Sequence, residues 1–330
     1  MTPLTGRARP RRLGFHVLAL RASLPLLGGL LAVLSPVLAQ ARDVQRPTFG
    51  VSSGLVVLSV TAVDGNGRPV RDLKPRDFSV FENGRPQKLL HFSRGEQAPC
   101  RVLLLVDASG SMADQERSAS WRMAAHQVLA ALAPEDQAAL AGFDSRYFGL
   151  VPFTRDRQAV EKGFAELTPF GATALHDAVD QAARDLASHG EGRRAVVVVT
   201  DGVDTASRKS PAEVLARAQA LDVPIYGLSV VSPLDDPASP LYTGREAGTP
   251  HLQGRALLQR YAQLSGGAAF TVSDFRGLYQ AAARITAELK HQYRLGYDPP
   301  QGPPGFRRIE VRTTRRGVQV RTRSGYVPPS

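Results

Sequence analysis

The 330-residue sequence predicts an α/β fold, a doubly wound and mostly parallel sheet flanked by helices, inserted in a small β-sandwich formed by N- and C-terminal segments. Three observations carry that expectation. Short runs rich in valine and leucine recur through the middle of the chain, and continuous hydrophobicity in a strand implies burial on both faces, as in a parallel sheet. Helical apolar periods separate those runs, and strand–helix alternation builds a doubly wound domain. Turn-rich, strand-like segments lie on either side, each too short to bury a core alone, so they are expected to pair with each other.

Four stretches follow along the chain. Residues 1–41 read as an export signal. Arg7, Arg9, Arg11 and Arg12 precede an apolar run at Ala22–Leu34, followed by Pro36 and the small-residue site Ala39-Gln40-Ala41. That run, broken by Pro25 and two glycines, is short for a membrane span, and no later segment is long and apolar enough. The mature chain is therefore expected to be exported, periplasmic or secreted, with no transmembrane segment.

Residues 42–98 are the first part of the sandwich. LVVLSVTAV (Leu55–Val63) ends at the turn Asp64–Gly67, and DFSVF and QKLLHFS flank Asn83-Gly84, a strong short hairpin signal. Residues 99–291 hold the α/β domain. RVLLLVD, QAALAGF, AVVVVTD, VPIYGLSVV and AAFTV are its strands, and YFGLVPF (Tyr147–Phe153) follows QAALAGF so closely that a hairpin and an antiparallel edge are expected. Helical stripes run through Trp121, Ala125, Val128, Leu129 and Leu132, through Leu175, Ala178, Val179, Ala182 and Leu186, and through Phe275, Leu278, Ala282, Ile285 and Leu289. Ser232–Gly254 reads as a long loop. Residues 292–330 complete the sandwich with QYRLGY, a PPQGPPG turn cluster, FRRIEVRTT and GVQVRTRSGY.

Charge and cysteine content narrow the function classes. Hydrophobic residues make up 43% and charged residues 22%, the balance of a globular protein with a core. The formal charge of +11 falls to +6 without residues 1–41, which hold five arginines and no acid. C-terminal arginines alternate with Ile309, Val311, Val318 and Val320, the pattern of strand faces in water, so no nucleic-acid partner is expected. Cys100 is alone, which excludes an intramolecular disulfide and a zinc cluster. It stands before a buried strand and is read as a small core or edge residue.

In an open parallel sheet, ligands collect beyond the carboxyl ends of the strands, where the chain changes direction. Two buried strands here end in aspartate, VLLLVD at Asp107 and AVVVVTD at Asp201. Ser109 and Ser111 follow the first, and Thr173 stands in a loop before a helix, where its hydroxyl is also a candidate N-cap. Singly each is a turn former. Together they form a set of hard oxygen donors without His or Cys, which suits Mg²⁺, with Mn²⁺ or Ca²⁺ as alternatives. Neutral hydroxyls leave such an ion electrophilic and open to an outside carboxylate. Asp144 and Asp204 lie on loops that can border the site, and His176 is read as a helix-face or rim residue.

Asp107-Ala108-Ser109-Gly110-Ser111, Thr173 and Asp201 resemble the metal-ion-dependent adhesion site of the von Willebrand factor A domain family, which includes integrin I domains. The resemblance covers roughly Arg101 to Lys290. It implies Ser109, Ser111 and Thr173 as cation ligands, Asp107 and Asp201 as direct or water-mediated ligands, and an acidic residue of a protein partner completing the shell. The flanks DLKPRDFSVFENGRPQKLLHFS and QYRLGYDPP…GFRRIEV resemble those of bacterial exported proteins with a related domain. The expected function is a non-enzymatic binding or adhesion protein whose partner presents Asp or Glu. Two alternatives use the same residues, a metal-dependent hydrolase of anionic esters and a structural envelope component with a stabilising metal. No nucleophile elbow, HExxH spacing or dedicated general base accompanies them.

Overall fold

The computed structural model describes residues 54–328 except 96–98, 114, 191, 233–235, 237–238, 243 and 245–249, and gives no side-chain account of 115–118. Residues 1–41, with the expected export signal, lie outside the described residues. All of the described chain belongs to the unit Val51–Ser330.

The chain opens with β1 (Val56–Val63), whose side chains are almost all buried. β2 (Phe78–Glu82) and β3 (Arg85–Gln87) form the expected hairpin. Its two-residue loop has positive φ at both Asn83 (49°) and Gly84 (77°), the backbone twist that suits a tight hairpin and that Asn-Gly tolerates. QKLLHFS departs from expectation. The hairpin strand stops at Gln87, the chain crosses to the other sheet, and β4 (His91–Arg94) forms there.

The α/β region follows: β5 (Cys100–Asp107), α1 (Gln115–Ala131), β6 (Gln137–Phe143), β7 (Tyr147–Thr154), α2 (Arg157–Glu166), α3 (Leu175–Ser188), β8 (Arg193–Val199), α4 (Pro211–Ala220), β9 (Ile225–Val230), α5 (Pro250–Ser265), β10 (Ala269–Val272) and α6 (Phe275–Lys290). The six strands lie in the order β10-β9-β8-β5-β6-β7. All neighbours are parallel except β7, which pairs antiparallel with β6 and forms one edge. The sheet is buried from both sides, and alternate residues divide between two cores. Val102, Leu104 and Val106 of β5 meet Trp121, Val128, Val160, Leu278 and Ile285, on α1, α2 and α6. Leu103 and Leu105 meet Leu175, Val179, Leu186, Val214 and Leu258, on α3, α4 and α5. The period of two along a strand thus converts one unbroken apolar run into two faces.

Local signals set the helix starts. Asp156 caps α2 and Asp274 caps α6, each accepting backbone N–H bonds. Ser210 and Glu213 form a capping box on α4 with Pro211 at its first position. α5 begins at Pro250, inside the segment read from sequence as a loop running to Gly254.

The C-terminal strands β11 (Tyr293–Tyr297), β12 (Arg307–Thr313), β13 (Gln319–Arg321) and β14 (Gly325–Tyr326) return to the N-terminal ones. Two four-stranded sheets result, β13-β1-β11-β4 and β14-β12-β2-β3. They share one core that includes Leu58, Val60, Phe78, Tyr293, Leu295, Ile309 and Tyr326. β12 and β13, on either side of Arg316-Gly317, lie in different sheets. Polar ties bind the sandwich to the α/β layers. Glu288 of α6, fully buried, accepts from Arg284 and from Arg321 of β13, and Ser59 of β1 donates to Asp222. Among the described residues no helix is long and apolar enough to cross a membrane.

Cys100 begins β5, is 2% exposed, and burial pushes its thiol up to about 12. The native protein should therefore leave Ellman's reagent unreacted at pH 8 and release one equivalent of thiol after unfolding in urea. Prompt labelling of the folded protein would contradict this placement.

Candidate functional site

Between β5 and β8 the connections diverge. The chain leaves β5 through α1 towards β6 and returns through α3 to β8 on the other side. That switch point is where the carboxyl ends of neighbouring strands open a crevice. Asp107 is the last residue of β5, and Asp201 stands two residues beyond the end of β8.

Asp107 is fully buried. Its Oδ1 accepts the Ser109 N–H at 2.9 Å, and its Oδ2 accepts the Thr200 hydroxyl at 2.5 Å. Desolvation pushes its pKa up to about 6. Hydrogen bonds from Ser109 and Thr200 pull the other way, and the carboxylate of Asp201 adds to the rise. Ser109 is buried and Ser111 exposed, with their hydroxyl oxygens 3.1 Å apart. Residues Gly110–Met112 make the 3-10 turn that brings the second serine back beside the first.

Backbone bonds tie this loop to the one before α3. Phe170 N–H donates to Ala108 O at 2.8 Å, and Gly110 N–H donates to Gly171 O at 2.9 Å. A Cβ on Gly110 would sit 3.2 Å from that carbonyl, a tight contact that the carbonyl could relieve only by shifting a few tenths of an ångström. Thr173 is buried. Its N–H donates to the Thr205 hydroxyl at 2.9 Å, and its carbonyl accepts from Thr205 and Ala206, each at 2.9 Å. The N-cap position of α3 belongs to Ala174 and has no side-chain bond, so the Thr173 hydroxyl is not spent on capping. The loop after β8 is thereby fastened to the loop before α3, which gathers the ends of β5, α3 and β8.

Asp201 is 6% exposed. Its Oδ1 accepts the Val203 N–H at 3.1 Å, while Oδ2 is buried without a hydrogen-bond partner. The His251 Nδ1, at the start of α5, is 3.7 Å from that oxygen.

The three residues read as bordering the site also make contacts that hold its loops. His176 lies on the first turn of α3, as the helix-face reading has it, and is buried; its Nδ1 lies 3.0 Å from the Tyr261 hydroxyl and 3.7 Å from Asp204 Oδ2, and desolvation holds its pKa below the ordinary value. The acid beside its ring is Asp204. Asp204 Oδ2 accepts from the Ser207 hydroxyl at 2.5 Å and from His176 N–H at 3.2 Å, clamping its own loop to the first turn of α3. Asp144 closes its own turn, accepting from Ser145 and from Arg146 N–H, and its carbonyl accepts the Ala174 N–H at 2.7 Å. All three position the loops.

Sequence reasoning missed Thr200, Thr205 and His251. Thr200 had a faint signal, a polar residue directly before the strand-end aspartate. His251 had none, since fifty residues separate it from Asp201. Phe170, next to Gly171, is 77% exposed at the mouth of the site. Among the described residues no three or more His, Cys, Asp or Glu side chains cluster as a metal site, so any cation here depends on hydroxyls as well as carboxylates.

Residues 102–203 match the von Willebrand factor type A domain, a span that holds all five candidate ligands. No curated protein matches the chain. Among solved structures, the conserved hypothetical protein BatB from Bacteroides thetaiotaomicron is 19% identical, with 58% of this chain and 98% of that chain covered and a TM-score of 0.45. An aerotolerance-related membrane protein from Bacteroides fragilis is 22% identical over the same shares, with a TM-score of 0.45. A von Willebrand factor type A protein from Catenulispora acidiphila is 11% identical, covering 81% of this chain and 71% of that one, with a TM-score of 0.47.

The bond from Thr200 to Asp107 is testable by itself. Thr200→Val keeps the shape but strands a buried carboxylate oxygen and the Gly202 N–H that Thr200 Oγ1 accepts. In urea unfolding with chelator present, it should lose about 1–3 kcal/mol of stability. Thr200→Ser should lose less, and equal stabilities for all three proteins would contradict the assigned bond.

Proposed function

We propose that the chain is a non-enzymatic, exported binding protein that captures a protein partner through a divalent cation. Ser109, Ser111 and Thr173 hold the ion together with Asp107 and Asp201, directly or through water, and an Asp or Glu of the partner completes its shell. The observation that carries this reading is the Asp201 Oδ2, a buried carboxylate oxygen with no donor, beside a second buried carboxylate. A buried polar atom without a partner calls for an ion or a water, because its desolvation is otherwise uncompensated.

The donor chemistry fits. Oxygen ligands at ~2.1 Å in octahedral array stand about 3.0 Å from their neighbours. The 3.1 Å between the Ser109 and Ser111 hydroxyls matches that spacing, although it also serves as a hydrogen bond. A dipositive ion would offset the desolvation that disfavours the ionised form of Asp107. When bound, it supplies an electrophilic centre for a carboxylate from outside, and Mg²⁺, Mn²⁺ and Ca²⁺ all accept such donors. The match of residues 102–203 to a domain that commonly mediates protein interactions supports the same reading. Phe170, exposed beside the site, offers the partner an apolar contact next to its acid.

Calorimetric titration of chelator-treated protein tests the cation. Wild type should take up Mg²⁺ or Mn²⁺, and Asp107→Ala should bind at least roughly tenfold more weakly. No uptake of either ion by wild type, with Asp107→Ala indistinguishable from it, would sink the reading. Pull-down from envelope extract tests the partner: bound protein should elute with chelator and be missing with Ser109→Ala.

A further inference from the structure

Charge is divided unevenly along the chain. The sandwich segments, residues 54–95 and 292–328, hold fifteen Lys and Arg against six Asp and Glu, a formal +9. Residues 99–291 hold nineteen against twenty-two, a formal −3. Much of the excess gathers at one place. Arg312 of β12 stands opposite Ser79 of β2, Thr314 N–H donates to Asp77 O at 3.0 Å, and Arg315 pairs with Asp72 at 2.8 Å. Those ties hold residues 71–77 against residues 312–316. Arg71, Lys74, Arg76, Arg312, Arg315 and Arg316 are all exposed there.

The acids nearby are already engaged. Asp72 accepts from Arg315, Glu310 from Arg312, and Asp77 Oδ2 takes the Lys74 N–H at 2.7 Å. Arg71, Arg76 and Arg316 form no ion pair among the described residues. Cations crowded without counter-charge repel one another, and an anionic surface outside the protein would relieve that repulsion. Groups that read nucleic acid do not accompany them. The ring nearest this cluster, Phe81, is covered by the Arg312 guanidinium at 4.7 Å, which leaves no platform for stacking bases. The helical piece here is the three-residue 3-10 turn Pro75–Asp77, too short to enter a duplex groove. An anionic bilayer asks only for basic charge near its surface.

We propose that this face of the sandwich docks the protein on an anionic phospholipid bilayer through Arg71, Lys74, Arg76, Arg312, Arg315 and Arg316. Docking there leaves the other end of the α/β region open. The sandwich joins that region at the amino ends of its strands, where Gly95 N–H donates to Gln292 O at 2.8 Å. Arg193, the first residue of β8, donates there to the Leu289 and Lys290 carbonyls. Asp107 ends β5 at the opposite edge, one strand length of about 23 Å away. Neither a cation nor a protein partner at that edge takes part in the docking.

The test is vesicle sedimentation of the full chain at about 0.15 M salt with chelator present. Vesicles of phosphatidylcholine alone are compared with vesicles containing about 30% phosphatidylglycerol. Residues 1–41 bring five arginines of their own, so the readout is the difference between proteins that share them. One variant carries Arg71→Gln, Arg76→Gln and Arg316→Gln. A second carries Arg155→Gln, Lys162→Gln and Arg260→Gln, the same charge removed from exposed positions of the α/β region. Wild type should partition onto the anionic vesicles at least roughly tenfold better than onto the neutral ones. The first variant should lose at least roughly tenfold of that binding and the second less than about twofold. Equal partition of all three proteins, or no preference of wild type for anionic vesicles, overturns the proposal. Equal loss in both variants does the same, because net charge alone would then be the cause. Binding of a DNA duplex that depends on Arg71, Arg76 and Arg316, with vesicle binding independent of them, assigns the surface to nucleic acid and overturns it too.

Discussion

Burial of β5 and β8 on both faces is the constraint on which the rest of this structure depends. Strands packed between two helical layers can carry only apolar side chains along their length, so polar groups are driven to their ends. Asp107 and the Thr200-Asp201 pair are those ends. Because β5 and β8 are parallel neighbours paired in register from Cys100 to Val106, they deliver their polar residues to the same edge. The switch in chain direction between them keeps a crossing connection from covering that edge.

Four other buried acids show how the protein matches such groups elsewhere. Glu82 accepts from Arg307, Tyr297 and Tyr326. Asp180 is ringed by Arg184, Lys209 and Arg217, and Glu288 by Arg284 and Arg321. Asp136 accepts backbone N–H bonds from Cys100 and Ala133. Each of these carboxylates has a cation or several donors from the protein, as burial of charge demands. Asp201 leaves one oxygen unmatched, and Asp107 beside it is held by neutral donors alone.

Around that edge the polar loop residues do structural work. Asp144, Asp204, Ser207 and Thr205 spend their hydrogen bonds on holding the starts and ends of loops, and His176 is packed beneath them against Tyr261. This arrangement keeps Thr173 and Asp201 at fixed positions relative to β5 without drawing on the Thr173 hydroxyl. Rigid positioning of donors is what a site needs if a ligand is not to meet the cost of ordering it.

Much of the architecture was legible because it follows from periods of two and 3.6 residues, which depend on neighbours in the chain. The buried strands, the Asn83-Gly84 hairpin, the antiparallel edge at β7, the three helical stripes and the strand-end aspartates are all of this kind. Where pairing partners decide the outcome, local pattern was not enough. QKLLHFS has the composition of one strand but is divided between two sheets, and the start of α5 lay within an apparent loop. The candidate ligands could be named from sequence because each sits at the end of a recognisable element. The bond from Thr200 to Asp107, the burial of His176 and the approach of His251 to Asp201 could not, because they arise where segments distant in the chain are pressed together. Residue order by itself determined which elements form and which oxygen donors end them; only tertiary packing, through contacts as close as that of Gly202 with Gly254, decided which side chains share a point in space.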